Sequence, residues 1–132
     1  MNVFPVNQFA VDIVFPKVAH WLEPAIMHNR CSEWTLDSVY GECVNGRMIL
    51  FVDDMANPMN ALVASFRTWG GERVFYIAFM GGAGGEDWPQ AMEQMRNFAN
   101  RFGVTRVTAN LRDGWTRHFK VKRLATLCEI EA

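Results

Sequence analysis

Apolar residues recur at helical intervals up to about residue 44, at closer spacing from 47 to 80, and at helical intervals again from 88 to 102. Met1 to Val6 is a short apolar stretch that reads as a first strand. From Asn7 to about Leu22 the positions Phe9, Ile13, Val14, Val18 and Leu22 return with helical period. Pro16 opposes a single unbroken helix, because a proline in a helix interior lacks the amide donor and crowds the carbonyl four residues back. Two short helices, with Pro16 and Pro24 near their first turns, therefore stand beside one long one. Leu36, Val39, Tyr40 and Val44 then share one helix face, with Thr35 as N-cap and Asn45-Gly46 as the stop.

Past this helix the period shortens toward two. Arg47 to Val52 reads as a strand, Asp53 to Pro58 as a turn, and Asn60 to Thr68 as a second strand. Gly70-Gly71 separates it from a third, Arg73 to Met80, and the three are close enough in sequence to form an antiparallel meander. The third strand is apolar on both faces, which predicts a central position covered by helices on both sides. After Gly81-Gly82-Ala83-Gly84-Gly85 comes an amphipathic helix whose stripe is Trp88, Ala91, Met92, Met95, Phe98, Ala99 and Phe102. Asp87 with Gln90 makes a capping-box pattern, and Gly103 is the expected residue just past the helix end. A strand from Val104 to Asn110 follows, so strand, helix and strand form a crossover whose two strands should be parallel. A short turn or helix around Gly114 to Phe119 leads to the alternating stretch Leu124 to Ile130, read as a final edge strand. The fold class is therefore α+β, a mixed twisted sheet with an antiparallel meander and a strand-helix-strand crossover.

Composition narrows the picture in three ways. At 132 residues, half of them hydrophobic, the chain is expected to be a single domain over residues 1–132 with one set of core elements. No uninterrupted apolar stretch, Met48 to Val52 among them, approaches the roughly 20 residues needed to cross a bilayer, so no membrane insertion is expected. Cys31, Cys43 and Cys128 are an odd number at wide spacing, which argues against a disulfide framework and for a reducing compartment. The net charge of −1 also hides an asymmetry, because Arg101 to Arg123 carries +6 and the remainder −7. That basic segment leaves an anionic ligand, nucleic acid or an acidic protein face open as partner, against the simpler reading of charges alternating into solvent.

Candidate chemistry gathers at two places. The glycine-rich loop joins a buried strand to a helix start, where free amides can cradle a phosphate, although Glu86 and Asp87 would compete for the same amides. It carries neither a Walker pattern nor a dinucleotide fingerprint, and a structural turn is the alternative. The second place is Arg112-Asp113-Gly114-Trp115-Thr116-Arg117, a polar turn holding a large aromatic at the carboxyl end of the crossover's second strand, where such folds bind ligands. The alternative is that Trp115 closes the core and Arg117 pairs with an acidic neighbour. The cofactor-binding candidates are Gly82, Gly84, Gly85, Arg112 and Arg117, and no catalytic residue is assigned. His20, His28, His118 and the three cysteines show no zinc-site spacing, so no metal is expected. Cys31 and Cys43 are expected to be buried thiols rather than nucleophiles.

The order of elements resembles the GCN5-related N-acetyltransferase superfamily. The pieces NGRMILFV, GEDWPQAMEQMRNFANRFGVTRV and RDGWTRHF are similar to small phage-encoded proteins of that fold, with an Ala-x-x-x-Gly helix end and an Arg-x-Gly-Trp-x-Arg turn; they cover about Asn45 to Phe119. The resemblance implies a virion-associated structural or protein-binding component, with a phage virion or host protein as partner and the virion or host cytoplasm as location. Active members of the superfamily hold the pyrophosphate of acetyl-CoA on an Arg/Gln-x-x-Gly-x-Gly/Ala loop and often use a later tyrosine to protonate the departing thiolate. Counted back from Gly103, the loop positions fall on Ala83, Glu86 and Trp88, and the later turn has Trp115 and Phe119 instead of tyrosine. On these departures the expectation is no cofactor and weak or absent coenzyme A binding, with acetyl-CoA-dependent N-acyl transfer as the alternative.

Overall fold

The Thr35 hydroxyl accepts a hydrogen bond from the Ser38 amide, and the Ser38 hydroxyl accepts one from the Thr35 amide, so two first-turn donors are satisfied locally. The helix this starts, α2 (Leu36–Val44), ends at Asn45 with Gly46 at φ 75°, as its sequence predicts. The computed structural model describes residues 2–27, 33–83, 88–111, 113–117 and 120–131. The first helix, α1, departs from the two-helix reading. A 3-10 turn, Gln8–Ala10, runs into one helix, Val11–Met27, with Pro16 and Pro24 inside it. Both prolines are exposed, as are Asp12 and His20 four residues before them, so the carbonyls that lose their helical donors face water.

The strands among the described residues are β1 (Phe4–Pro5), β2 (Ile49–Val52), β3 (Asn60–Trp69), β4 (Glu72–Gly82) and β5 (Val107–Ala109), and they lie side by side in chain order. β1 through β4 are antiparallel, and β5 joins β4 in parallel after the helix α3 (Trp88–Asn100). Pro5 is tolerated because β1 is an edge strand, where one row of amides has no ladder partner to lose. The β3–β4 hairpin turns on Gly70 and Gly71 at φ 58° and 81°, the doubly left-handed geometry that matches strand twist.

Two apolar layers sandwich the sheet. α1 and α2 cover one face through Val14, Val18, Leu22 and Val39, which meet Leu50, Val63 and Phe79. α3 covers the other through Trp88, Met95 and Phe98, which meet Phe51, Leu62 and Phe75. β4 contributes to both layers and is flanked by β3 and β5, so its predicted central place holds. α3 finishes in a turn where the Val104 amide donates to the Ala99 carbonyl and the Gly103 amide to the Asn100 carbonyl, with Gly103 at φ 75°. Phe102 is left exposed beyond that end. The Asp87 half of the predicted capping box lies outside the described residues; Gln90 and Gln94 donate to the Asn2 side chain and tie the N-terminus to α3.

The expected last strand is not formed. Residues 120–131 have no helix or strand and are exposed, with Ile130 90 % accessible. Leu124 and Leu127 stand three apart, which breaks the two-residue alternation, and β5 is only three residues long as a template for a further strand.

Candidate functional site

β4 contains one residue more than its neighbour can pair. Val63 of β3 faces Phe79 and Ala64 faces Ile77, so Ala78 is the extra residue of a β-bulge. Side-chain placement records it: Phe75, Ile77 and Met80 pack on the α3 side, whereas Tyr76, Ala78 and Phe79 pack on the α1 side. A bulge bends its strand and increases local twist. The last pair between β4 and β5 is Ile77 with Ala109, immediately before the bulge. From Ala78 to Gly82 β4 runs on with no strand paired to its outer edge among the described residues. This unpaired edge of β4, beside the chain leaving β5, is the candidate cleft.

Both ends of this cleft are anchored. At the far end the Asp53 carboxylate accepts from the amides of Met59 and Asn60 at 2.9 and 3.1 Å and from the Asn60 side chain at 3.0 Å, and the Ala83 amide donates to the Met59 carbonyl at 2.9 Å. A Cβ on Gly81 would run into the Trp21 carbonyl of α1, and one on Gly82 into the Asn60 side chain. The first two glycines of the glycine-rich stretch thus belong to β4 and serve close packing. On the α3 side Trp88, buried, meets Trp115 edge to face at 5.2 Å. Trp115 closes the layer beneath its turn, the 3-10 segment Asp113–Arg117, as one of its two sequence readings expects.

At the mouth, where β4 and β5 part, Tyr76 stands opposite Thr108 and hydrogen-bonds Asn110. Burial raises the Tyr76 phenol above its ordinary pKa, opposed by the Arg67 charge and by the Asn110 hydrogen bond. The phenol is therefore neutral at pH 7 and carries a proton. The Thr108 hydroxyl is buried and has no hydrogen-bond partner among the described residues. Arg67 lies over the Tyr76 ring at 5.7 Å and donates from Nε to the Ser65 hydroxyl at 2.9 Å. Sequence reasoning missed this group; its signal was a tyrosine and a threonine inside otherwise apolar strands.

Of the predicted cofactor-binding residues, Gly82 ends β4 at the cleft, and Arg117 is exposed on the turn beyond β5. Gly84, Gly85 and Arg112 lie outside the described residues, as do Glu86, His28 and Cys31. The basic segment is partly engaged elsewhere: Arg106 pairs with Glu72 at 3.3 Å, and Arg101 lies over the Phe98 ring at 5.3 Å. Cys43 is buried, and burial, followed by the Glu42 charge, pushes its thiol up to about 12, which removes it as a nucleophile near neutral pH. Among the described residues no three His, Cys, Asp or Glu side chains gather as a metal set, and no helix is long and apolar enough to cross a membrane.

No protein-family model matches the chain, and no curated protein matches it in sequence. Solved structures do match its shape. A predicted acetyltransferase with acetyl-CoA from Clostridium acetobutylicum superimposes with a TM-score of 0.67 at 9 % identity, over 98 % of this chain and 95 % of that one. An aminoglycoside acetyltransferase from an uncultured soil metagenomic sample, in complex with sisomicin, gives 0.66 at 10 % identity, over 99 % and 94 %. A GCN5-related N-acetyltransferase from Ralstonia eutropha gives 0.64 at 10 % identity, over 98 % and 97 %. These neighbours lend no support to a phage origin or a virion role. The expectation of no cofactor is corrected by the first of them, a chain of the same fold solved with acetyl-CoA. That expectation rested on side chains of a loop, whereas the cleft is made by backbone: a bulge, a parting of strands and an unpaired edge. Matching them nearly end to end in shape, the chain has the fold of the GCN5-related N-acetyltransferases.

Proposed function

We propose that the chain is an acetyl-CoA-dependent N-acyltransferase. The observation that carries this is the parting of β4 from β5 at the Ala78 bulge, which leaves the edge from Ala78 to Gly82 free to hydrogen-bond an extended ligand. Pantetheine, with its two amides, is chemically suited to such an edge, so the residues present fit the group. Gly82, Gly84, Gly85, Arg112 and Arg117 are assigned to the diphosphate, the glycines by their amides and the arginines by charge-assisted hydrogen bonds.

When bound, acetyl-CoA would supply the acetyl group: its carbonyl carbon would bond to the acceptor nitrogen and part from sulfur, the nitrogen's proton would pass to solvent, and Tyr76 would regain from solvent the proton it gives to sulfur. The chain orients the reactants and handles the protons. Burial keeps Tyr76 protonated beside the junction, and Asn110 holds its hydroxyl in place, so Tyr76 is the assigned donor to the departing sulfur. α1 and α2 cover one face of the sheet beside the junction, and the Trp88–Trp115 contact lies on the other. No observation favours the virion-component reading over this one.

Calorimetry with coenzyme A at about 0.15 M salt tests the reading, since lower salt would exaggerate attraction to the basic segment. A dissociation constant near or below about 10 μM, roughly 7 kcal/mol, is expected. Absence of heat at millimolar coenzyme A would end it. Weakening by Gly84→Val and by Arg117→Gln, with stability unchanged, is expected if the diphosphate assignment is right.

A further inference from the structure

On the α1 side of the sheet, next to the cleft mouth, one cation has donors to spare. Arg67 gives its Nε–H to Ser65, and its guanidinium carbon lies over the Tyr76 ring. No carboxylate among the described residues comes within ion-pair distance of it. Glu42 of α2 is near enough for the two charges to act on each other, but its carboxylate is taken by Arg47, at 2.6 and 3.1 Å. The terminal nitrogens of Arg67 thus present a planar fork that matches a carboxylate.

The surroundings favour a small ligand there. Trp69, 40 % exposed, tilts against Tyr76 at 5.4 Å and adds an apolar wall. The Thr108 hydroxyl, on a residue only 7 % exposed, sits in register with Tyr76 and has no partner among the described residues. A buried hydroxyl so placed is satisfied when a bound polar group or a water reaches it. One arginine with Glu42 in range suits a monoanion; a phosphate dianion would meet too little positive charge and the Glu42 field.

We propose that the acceptor is a small amine that also carries a carboxylate, with the carboxylate on the Arg67 fork and the amine at the parting of β4 and β5. This rests on the N-acyltransferase reading. Arg67 lies over Tyr76, and the parting begins two residues on at Ala78, roughly 7 Å along a strand. Amine and carboxylate are then separated by a short alkyl chain. The site selects against polyamines, because Arg67 repels a second ammonium.

The test is binding of δ-aminovalerate to the full chain, read by calorimetry and by indole fluorescence without acetyl-CoA, against n-pentylamine of matching length. δ-Aminovalerate is expected to bind more tightly than n-pentylamine by about tenfold or more, the usual worth of hydrogen bonds to a charged group. Arg67→Gln should remove that preference and Arg67→Lys should restore part of it. The wild-type comparison of the two ligands stands even if a variant fails to fold. Equal binding of both ligands, no binding of δ-aminovalerate at tens of millimolar, or a folded Arg67→Gln chain that keeps the preference would overturn the proposal. A chain that binds δ-aminovalerate through Arg67 but transfers no acetyl group from acetyl-CoA would end the transferase reading and leave the carboxylate site standing. Transfer to n-pentylamine or spermidine in preference to δ-aminovalerate would do the reverse.

Discussion

The carbonyl oxygen of Trp21 occupies the space that a Cβ on Gly81 would need. α1 is thereby seated on β4 backbone to backbone, at the end of the strand that borders the cleft. Gly81→Ala must push helix and strand apart and is expected to cost about 1–3 kcal/mol, as overpacking does. Gly41 in α2 is the control, since a Cβ there meets nothing within 4 Å. Gly41→Ala should stabilise by about 0.5–1 kcal/mol through helix propensity. Urea denaturation of both variants checks the pair, and a neutral Gly81→Ala would contradict the packing described.

Phe98 should be a costly truncation on the α3 face. Its ring meets Phe51 edge to face at 5.1 Å and lies 5.5 Å from Phe75. Phe98→Ala is expected to destabilise by roughly 3–5 kcal/mol. A loss under about 1 kcal/mol in chemical denaturation would place this helix face outside the core.

At the end of α3 the cost of a side chain is conformational. A Cβ on Gly103 would touch nothing within 4 Å, yet the residue sits at φ 75°. Gly103→Ala should lose about 1 kcal/mol, and Gly103→Asn less, because asparagine tolerates that region better. Equal losses for the two would refute a left-handed origin.

Acid should weaken the fold through Glu42 and Asp54. Hydrogen bonds from Arg47 hold Glu42 below its ordinary pKa, and the Asn57 and Ala56 amides do the same for Asp54. A carboxyl whose folded pKa is depressed adds stability above its unfolded value, near pH 4, and loses it as pH falls through the folded value. Melting temperature from pH 6 to pH 3 should therefore fall less steeply in Glu42→Gln/Asp54→Asn than in the parent chain. Parallel slopes would show that neither carboxyl is linked to folding.

Thiol accessibility gives an independent check on α2. In a Cys31→Ser background at pH 8, Cys128 should react with a maleimide at once, and Cys43 only after denaturant is added. Prompt double labelling would mean that the Cys43 face of α2 opens readily.

What was legible in the sequence was what short-range chemistry decides. The Thr35 cap, the Gly70-Gly71 turn and the Gly103 stop each depend on a few neighbouring residues, and all three are found. α1 was harder to read because the cost of Pro16 and Pro24 depends on which way the helix faces. The bulge left no trace, since Val74 to Met80 is nearly all apolar and its period cannot reveal one added residue. The site was read from a glycine loop and two arginines, whereas Tyr76, Asn110, Thr108 and Arg67 converge only once β3, β4 and β5 are side by side.

The bulge has a further consequence when β4 is considered as a matter of parity. Removing Ala78 would restore strict alternation, with Tyr76 and Phe79 on one face, Ile77 and Met80 on the other, and Gly81 still against α1. Every core side chain but that of Ala78 would keep its face while the bend was lost. Loss of a single codon thus offers this lineage a way to straighten β4 and narrow the cleft while the hydrophobic layers stay as they are, so folding and ligand capacity can part company in one evolutionary step.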